Sequence, residues 1–213
     1  MTEDVERQAR ARADLCRFLA ACYYEPTAAF SEEHLFDSIL AAAERVDRDL
    51  ADCARKLGEA FALQDLQTLL VDYTRLFLGS VRPLAAPYGS VWLAGEPALM
   101  QESTMAVVEL YQQGGFDVDE SIHDLPDHVA IELEFLYVLL FRQNEARRTG
   151  NDEDLRFAES LEQRMLSEHV GKWIASFAAA VQSGAETPFY RLLAQITERL
   201  VGLQASLHHQ ERS

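Results

Sequence analysis

Apolar positions recur at helical spacing along almost the whole chain. Val5, Leu15, Leu19 and Tyr23 fit one face of an amphipathic helix that ends before Pro26. Ser31, with Glu32 and Glu33 behind it, predicts an N-cap ahead of Leu35, Phe36, Ile39 and Leu40. A charged segment from Glu44 to Lys56 leads into a short helical piece ending at Leu63. Leu66, Leu69, Leu70, Tyr73 and Phe77 then share one helical face, and Gly79 reads as its stop.

Residues 80–98 carry Pro83, Pro87, Gly89, Gly95 and Pro97, which predicts an ordered loop rather than a helix. A loop of that length inside a compact domain tends to be functional. The next helix runs from Glu102 to Gln113 and stops at Gly114-Gly115, and Phe116 to His123 is a connector. Asp124-Leu125-Pro126-Asp127 opens a further helix, with Asp124 as N-cap and Pro126 in the first turn. That helix, reaching about Arg148, is the most apolar in the chain and should be central. Phe157, Leu161 and Met165, then Trp173, Phe177 and Val181, mark two more helices, and Phe189 to Leu207 the last. The expectation is an all-α, single-domain bundle over residues 1–213, with about eight or nine helices. Neither β alternation nor an internal repeat is visible, and the loop at 80–98 does not split the domain.

The 213 residues are 48% hydrophobic, enough for a substantial core. Formal net charge is -16, which repels nucleic acid and favours basic partners. Cys16, Cys22 and Cys53 are odd in number and show no CxxC spacing, so free thiols in a reducing compartment are expected. The N-terminus is charged and lacks an apolar signal core. No apolar run approaches the ~20 residues that span a bilayer. These features predict a soluble, cytoplasmic protein without membrane insertion.

Chemistry-bearing residues concentrate in two places. Placed at 100° per residue from Asp127, the residues Glu134, Ile131, Phe135, His128 and Glu132 form an acid–histidine face backed by apolar positions. Asp127, His128 and Glu132 can simply cap the helix and bond neighbours, or they can border a groove. His128 and Glu132 at i, i+4 could offer two metal ligands, but HExxH is absent. Glu120 and His123 make a lone ExxH in a connector, and His208-His209 carry little weight. No bound metal or other cofactor is expected. G-x-S-x-G, GxxxxGK and GxGxxG are all missing. The second place is the aromatic stretch of Tyr73, Phe77, Tyr88 and Trp92. Tyr and Trp in a Pro-rich loop suit a groove that holds a peptide with an apolar segment and adjacent arginines.

Tyr73-Thr74-Arg75-Leu76-Phe77-Leu78-Gly79, then Pro87-Tyr88-Gly89-Ser90-Val91-Trp92, then Pro126-Asp127-His128 with Glu132, Leu133 and Phe135 carry a likeness. In order and spacing they resemble the TorD/DmsD family of cytoplasmic redox-enzyme maturation chaperones, relatives of the nitrate-reductase assembly factors. His169, Trp173 and Phe177 agree with it, and it covers about residues 12–205. The resemblance implies an all-helical fold and binding of the twin-arginine signal peptide of a molybdopterin oxidoreductase, held until its catalytic subunit is loaded and ready for export. By position it implies peptide contacts at Tyr73, Leu76, Phe77, Pro87, Tyr88, Trp92, Asp127, His128 and Glu132. Some relatives carry Trp where Tyr73 stands. Domain-swapped dimers and weak GTP binding are associated with family members, and this chain lacks a P-loop.

On this expectation the apolar part of the peptide packs on Leu76, Phe77, Tyr88 and Trp92. The guanidiniums meet Asp127, with Glu132 or Glu134 nearby, through charge-assisted bonds of about 1.5–3 kcal/mol each. Affinity should be about micromolar, since ordering the peptide offsets part of the gain. Two alternatives stand beside it. One is an assembly factor that acts on the mature catalytic subunit. The other is a helical acid–base or metal hydrolase built on His128 and Glu132. The sequence does not identify the client oxidoreductase.

Overall fold

A computed structural model describes residues 3–79, 82–93, 102–117 and 124–210. Among them are eleven α-helices and no strand. In order these are α1 (Glu3–Ala21), α2 (Ala29–Glu32), α3 (Leu35–Val46), α4 (Arg48–Ala62), α5 (Leu66–Tyr73) and α6 (Gly89–Leu93). They continue as α7 (Glu102–Gly114), α8 (Val129–Thr149), α9 (Asp152–Glu168), α10 (Val170–Gly184) and α11 (Pro188–Gln210). The all-α reading holds. The number exceeds the eight or nine expected because α2 and α6, of 4 and 5 residues, are too short to show a periodicity.

Local signals set many of the boundaries. Asp47 accepts from the Asp49 and Leu50 amides and caps α4, so the charged stretch from Glu44 to Lys56 is two helices meeting at one aspartate. Asp65 caps α5 and Asn151 caps α9 in the same way. Gly150, at φ 69°, closes α8 in the left-handed conformation that glycine tolerates.

α8 is the central element. It packs on α1 and α9, while α10 pairs with α11 and α11 also rests on α4. Its first half is buried: Val129, Ala130, Ile131, Leu133, Phe135, Leu136 and Leu139 are fully buried, and the expected acid face is present at Glu132 and Glu134. Each large side chain so buried contributes about 1.5–3 kcal/mol. Leu15, Cys16 and Leu19 from α1 and Trp173 and Phe177 from α10 complete the layer around it. The three cysteines are free and buried, and burial pushes each thiol up, so none is poised as a nucleophile.

α5 does not end at Tyr73 but widens into a π-helical turn, Thr74–Leu78, closed by the Gly79 amide on Thr74 O at 2.7 Å. Ala85 and Leu84 then fold back and donate to the carbonyls of Leu76 and Arg75. Gly79 permits this reversal: an added Cβ would lie 2.5 Å from the Pro83 nitrogen. π turns of this kind are frequent at functional sites.

Candidate functional site

Two segments distant in sequence meet as a short antiparallel bridge between Tyr88 and His128. The Gly89 amide donates to Asp127 O, and the Val129 amide donates to Pro87 O, both at 2.8 Å. The bridge corrects the expected helix start. Asp127 is not in the first turn of α8, because its backbone is committed to the bridge and its Oδ2 accepts from the Ser90 amide at 2.7 Å. His128 becomes the N-cap instead, its Nδ1 accepting from the Ala130 amide at 3.2 Å. The loop expected at 80–98 likewise holds α6, whose opening turn Asp127 fixes.

Behind the bridge lies a buried polar cluster. Asp127 is 2% exposed and Glu132 1%. Glu132 Oε2 accepts from the Trp173 indole at 3.1 Å. Burial drives the Glu132 carboxyl far above the usual range, and the Asp127 charge adds to this. Asp127 Oδ1, Glu132 Oε1, Ser90 Oγ and His169 Nε2 are buried atoms without a hydrogen-bond partner. Only glycine fits at position 89: a Cβ there would stand 2.9 Å from Trp173 Nε1 and 3.1 Å from Glu132 Oε1.

In front of the bridge lies a half-exposed rim of tyrosines and carboxylates. Tyr24 stacks on the His128 ring at 6.0 Å and an interplanar angle of 10°, and Tyr88 meets the same ring edge-on at 5.4 Å. The Tyr88 hydroxyl donates to Asp124 Oδ1 and the Tyr24 hydroxyl to Glu134 Oε1, each at 3.1 Å. Burial raises the phenol of Tyr24, Tyr73 and Tyr88, and the charge of Asp124 adds to it in all three. Tyr73, pushed up to about 12, also feels Glu25. The principal charges around these rings are all carboxylates. His128, wedged between two of the tyrosines, is held down to about 4 by burial against the opposing pull of Asp124 and Asp127.

The structure brings the predicted residues together, but in two layers. Phe77 and Trp92 both pack on Phe177, at 6.1 and 6.2 Å. Tyr73, Leu76, Phe77, Pro87, Asp127, His128 and Glu132 are buried, so the open aromatic groove expected from sequence is instead a packed foundation. Tyr88 and Trp92 are half-buried, and the Trp92 indole donates to Ala86 O at 2.8 Å. The hydrolase alternative loses its geometry: His128 Nδ1 serves the cap, Glu132 serves Trp173, and both are shut away from solvent. Glu120 and His123 lie outside the described residues. Among the described residues, no three His, Cys, Asp or Glu side chains are placed to share a metal ion, and no helix is long and apolar enough to cross a membrane.

Several members of the site have no sequence signal of their own. Tyr24 follows the last predicted apolar position of α1, and only its stacking on His128 gives it a role. Tyr111 donates to Pro126 O at 2.8 Å and steadies the turn before Asp127. Asp72 is buried and accepts from the Thr187 amide and hydroxyl at 2.7 and 2.8 Å, from the Glu186 amide, and from Arg75. It thereby ties the end of α5, where Tyr73 sits, to the α10–α11 connector.

The described residues thus build a helical bundle that presents a carboxylate-rimmed tyrosine face. Residues 43–179 match the family described as "Nitrate reductase delta subunit". The chain belongs to this family, in the TorD/DmsD group anticipated from its motifs. It is 30% identical over 149 residues to the chaperone protein TorD of Vibrio cholerae serotype O1 (strain M66-2), covering 70% of this chain and 66% of that protein. TorD of Vibrio parahaemolyticus is 30% identical over 60% of this chain and 58% of its own length. TorD of Shewanella piezotolerans is 25% identical over 78% and 74%. The chain thus spans just under two thirds of the first Vibrio relative. A solved redox enzyme maturation protein from Archaeoglobus fulgidus shares the fold at a TM-score of 0.53 and 21% identity, covering 91% of this chain and 93% of that one. The relatives carry the name of chaperone, in agreement with the expectation that the chain is not an enzyme.

Proposed function

We propose that this protein is a cytoplasmic chaperone that holds the twin-arginine leader of a molybdopterin oxidoreductase subunit until that subunit is ready for export. The observation that carries the reading is the rim in which Tyr24 and Tyr88, half-buried on either side of the His128 ring, donate to Glu134 and Asp124. A guanidinium is planar, weakly hydrated and always charged, and it binds both carboxylates and aromatic faces. The rim offers both partners within one half-exposed patch.

The assignment of individual roles shifts from the one based on motifs. Asp127 is already engaged at Ser90 and buried, so it positions α6 rather than meeting an arginine. Asp124 and Glu134 are the carboxylates that face the peptide, each already oriented by a tyrosine hydroxyl. Leu76, Phe77, Pro87, His128 and Glu132 hold the rim rigid from beneath, and Trp92 offers a half-buried edge to an apolar side chain. A preorganised rim leaves most of the ordering cost to the peptide, which keeps affinity near micromolar and release fast.

Isothermal titration with a synthetic leader bearing two adjacent arginines tests this. Asp124→Asn with Glu134→Gln keeps both tyrosine hydrogen bonds and removes two charges. Losing charge-assisted bonds of about 1.5–3 kcal/mol weakens binding at least tenfold. Unchanged affinity in the double variant would remove the rim from the site, and the absence of saturable binding by the wild type would end the proposal.

A further inference from the structure

The polar cluster beneath the rim has more acceptors than donors. Its two carboxylates flank the Gly89–Ser90 peptide: the Ser90 amide donates to Asp127 Oδ2, and a Cβ at Gly89 would stand 3.1 Å from Glu132 Oε1. The Trp173 indole serves Glu132 Oε2. The remaining oxygens, Asp127 Oδ1 and Glu132 Oε1, are buried without a hydrogen-bond partner, as are Ser90 Oγ and His169 Nε2. Among the described residues neither acid is paired with Lys or Arg. A buried carboxylate with an unsolvated oxygen is costly, and two side by side are costlier, so the favoured state keeps a proton on the pair.

The elements packed around Glu132 supply no counter-charge. α10 brings the Trp173 indole and the Val170 amide, α6 the Gly89–Ser90 backbone, α7 the Tyr111 phenol, and the turn before α8 brings Asp127. Two imidazoles border the cluster, His128 and His169. Burial holds both below their ordinary 6.5; Asp124 and Asp127 face His128, and Glu168, Arg164 and Asp127 face His169. Both are therefore neutral above that value.

Cluster and rim share one electrostatic field. Burial raises the Tyr111 phenol, and then Glu132, Asp127 and Glu134 do, so this ring lies among both buried acids and one rim acid. His128 likewise feels Asp124 in front and Asp127 behind. Glu132 and Glu134 project about 200° apart from a helix about 10–12 Å across. A guanidinium brought to Glu134 is then about 11 Å from Glu132. At an effective dielectric near 20 it favours the ionised form of Glu132 by about one pH unit.

We propose that capture of the arginine pair at the rim expels a proton from the Glu132–Asp127 cluster, so that the protein grips a leader more tightly as pH rises and releases it as pH falls. This rests on the function proposed above and adds a proton to its equilibrium. Glu132 exchanges its O–H for a carboxylate, the proton passes to the buffer, and the arriving cation balances the new charge. Glu132 does this without touching the leader.

Isothermal titration in pairs of buffers that differ in ionisation enthalpy counts the protons. The probe is a leader peptide capped at both ends, with two adjacent arginines and no other titrating side chain, taken through half-unit pH steps. A shift of about one unit raises affinity about tenfold across the titration of Glu132 and releases about half a proton at its midpoint. Wild type should show both. Glu132→Gln, its fold checked by circular dichroism, should release no proton and bind with flat affinity over the same interval, whatever its absolute strength. Asp127→Asn keeps an oxygen for the Ser90 amide but removes a charge that raises Glu132, so its release should peak at lower pH. Glu134→Gln binds more weakly and should still release. Saturable binding by wild type without proton release ends this proposal and leaves the rim reading standing. Release that persists in Glu132→Gln ends it as well, and if that variant does not fold, an unmoved peak in Asp127→Asn does so. If wild type fails to bind the peptide, both readings fall.

Discussion

Replacing Glu132 by Gln should flatten the fall in stability expected as pH rises above the ordinary glutamate value of 4.5. Burial raises the folded-state pKa of Glu132 well above its ordinary value of 4.5. Burial favours the protonated carboxyl in the folded chain, while the unfolded chain ionises it above about 4.5. The folded state then binds one proton more, so stability falls with rising pH by about 1.4 kcal/mol per unit until the folded pKa is passed. His128 has the opposite sign. Its folded pKa is lowered from 6.5 to about 4, so its contribution is lost as pH falls through that interval and is constant above it. His169 is shifted in the same direction. Below pH 6.5 the histidines and Glu132 therefore oppose one another, and above it the acid acts without them. Glu134, half-buried, adds a slope of the same sign as Glu132. From the ordinary value of 4.5 up to its raised folded value, Glu132 should cost the wild type about 1.4 kcal/mol for each pH unit. Glu132→Gln still accepts from Trp173 but carries no titrating proton, so its stability should change less by that amount. Urea unfolding followed by circular dichroism at half-unit pH steps measures both slopes. Parallel slopes, or a Gln variant less stable than wild type at pH 8, would refute the buried-acid account.

Gly89→Ala drives a methyl against Trp173 and Glu132 and should cost about 1–3 kcal/mol, read as a lower urea midpoint at unchanged m-value. Asp72→Ala strands the buried Thr187 amide and hydroxyl, and should cost about 3 kcal/mol or more in the same assay. His128→Ala removes the cap of α8 and should cost about 1 kcal/mol in thermal melts, while His128→Asn, which retains a capping acceptor, should recover most of it.

Local features of this fold were legible because their causes are local. The Leu66–Phe77 stripe, the Gly79 stop and the apolar run of α8 depend on neighbours within a turn or two, and the structure holds all three. The start of α8 was misplaced by four residues, from an N-cap at Asp124 to one at His128, because Asp127 is bound to a Ser90 amide 37 positions away, a partner no cap rule can see. Asp72 and Thr187, 115 positions apart, are invisible for the same reason. The motif residues were located as a group, but their depth was not. Tyr73, Phe77 and Trp92 looked like groove walls because exposed and buried aromatics share the same spacing; only packing against Phe177 and Tyr190 distinguishes them. Tyr24 and Asp124, which form the outer layer, sit where helix and connector merge and leave no periodic trace.

The missing side chain at position 89 has a mechanical consequence. Three helices, α6, α8 and α10, converge on that one carbon, and the Tyr88 backbone is stitched to α8 immediately beside it. Nothing soft separates the outer face from the hub of the molecule. A load applied at Tyr88 by a tethered, partly folded client would pass directly into Trp173 and the middle of the bundle. Under the proposed function the Tyr88 face would be a stiffly mounted handle, and a passenger would have to do the bending.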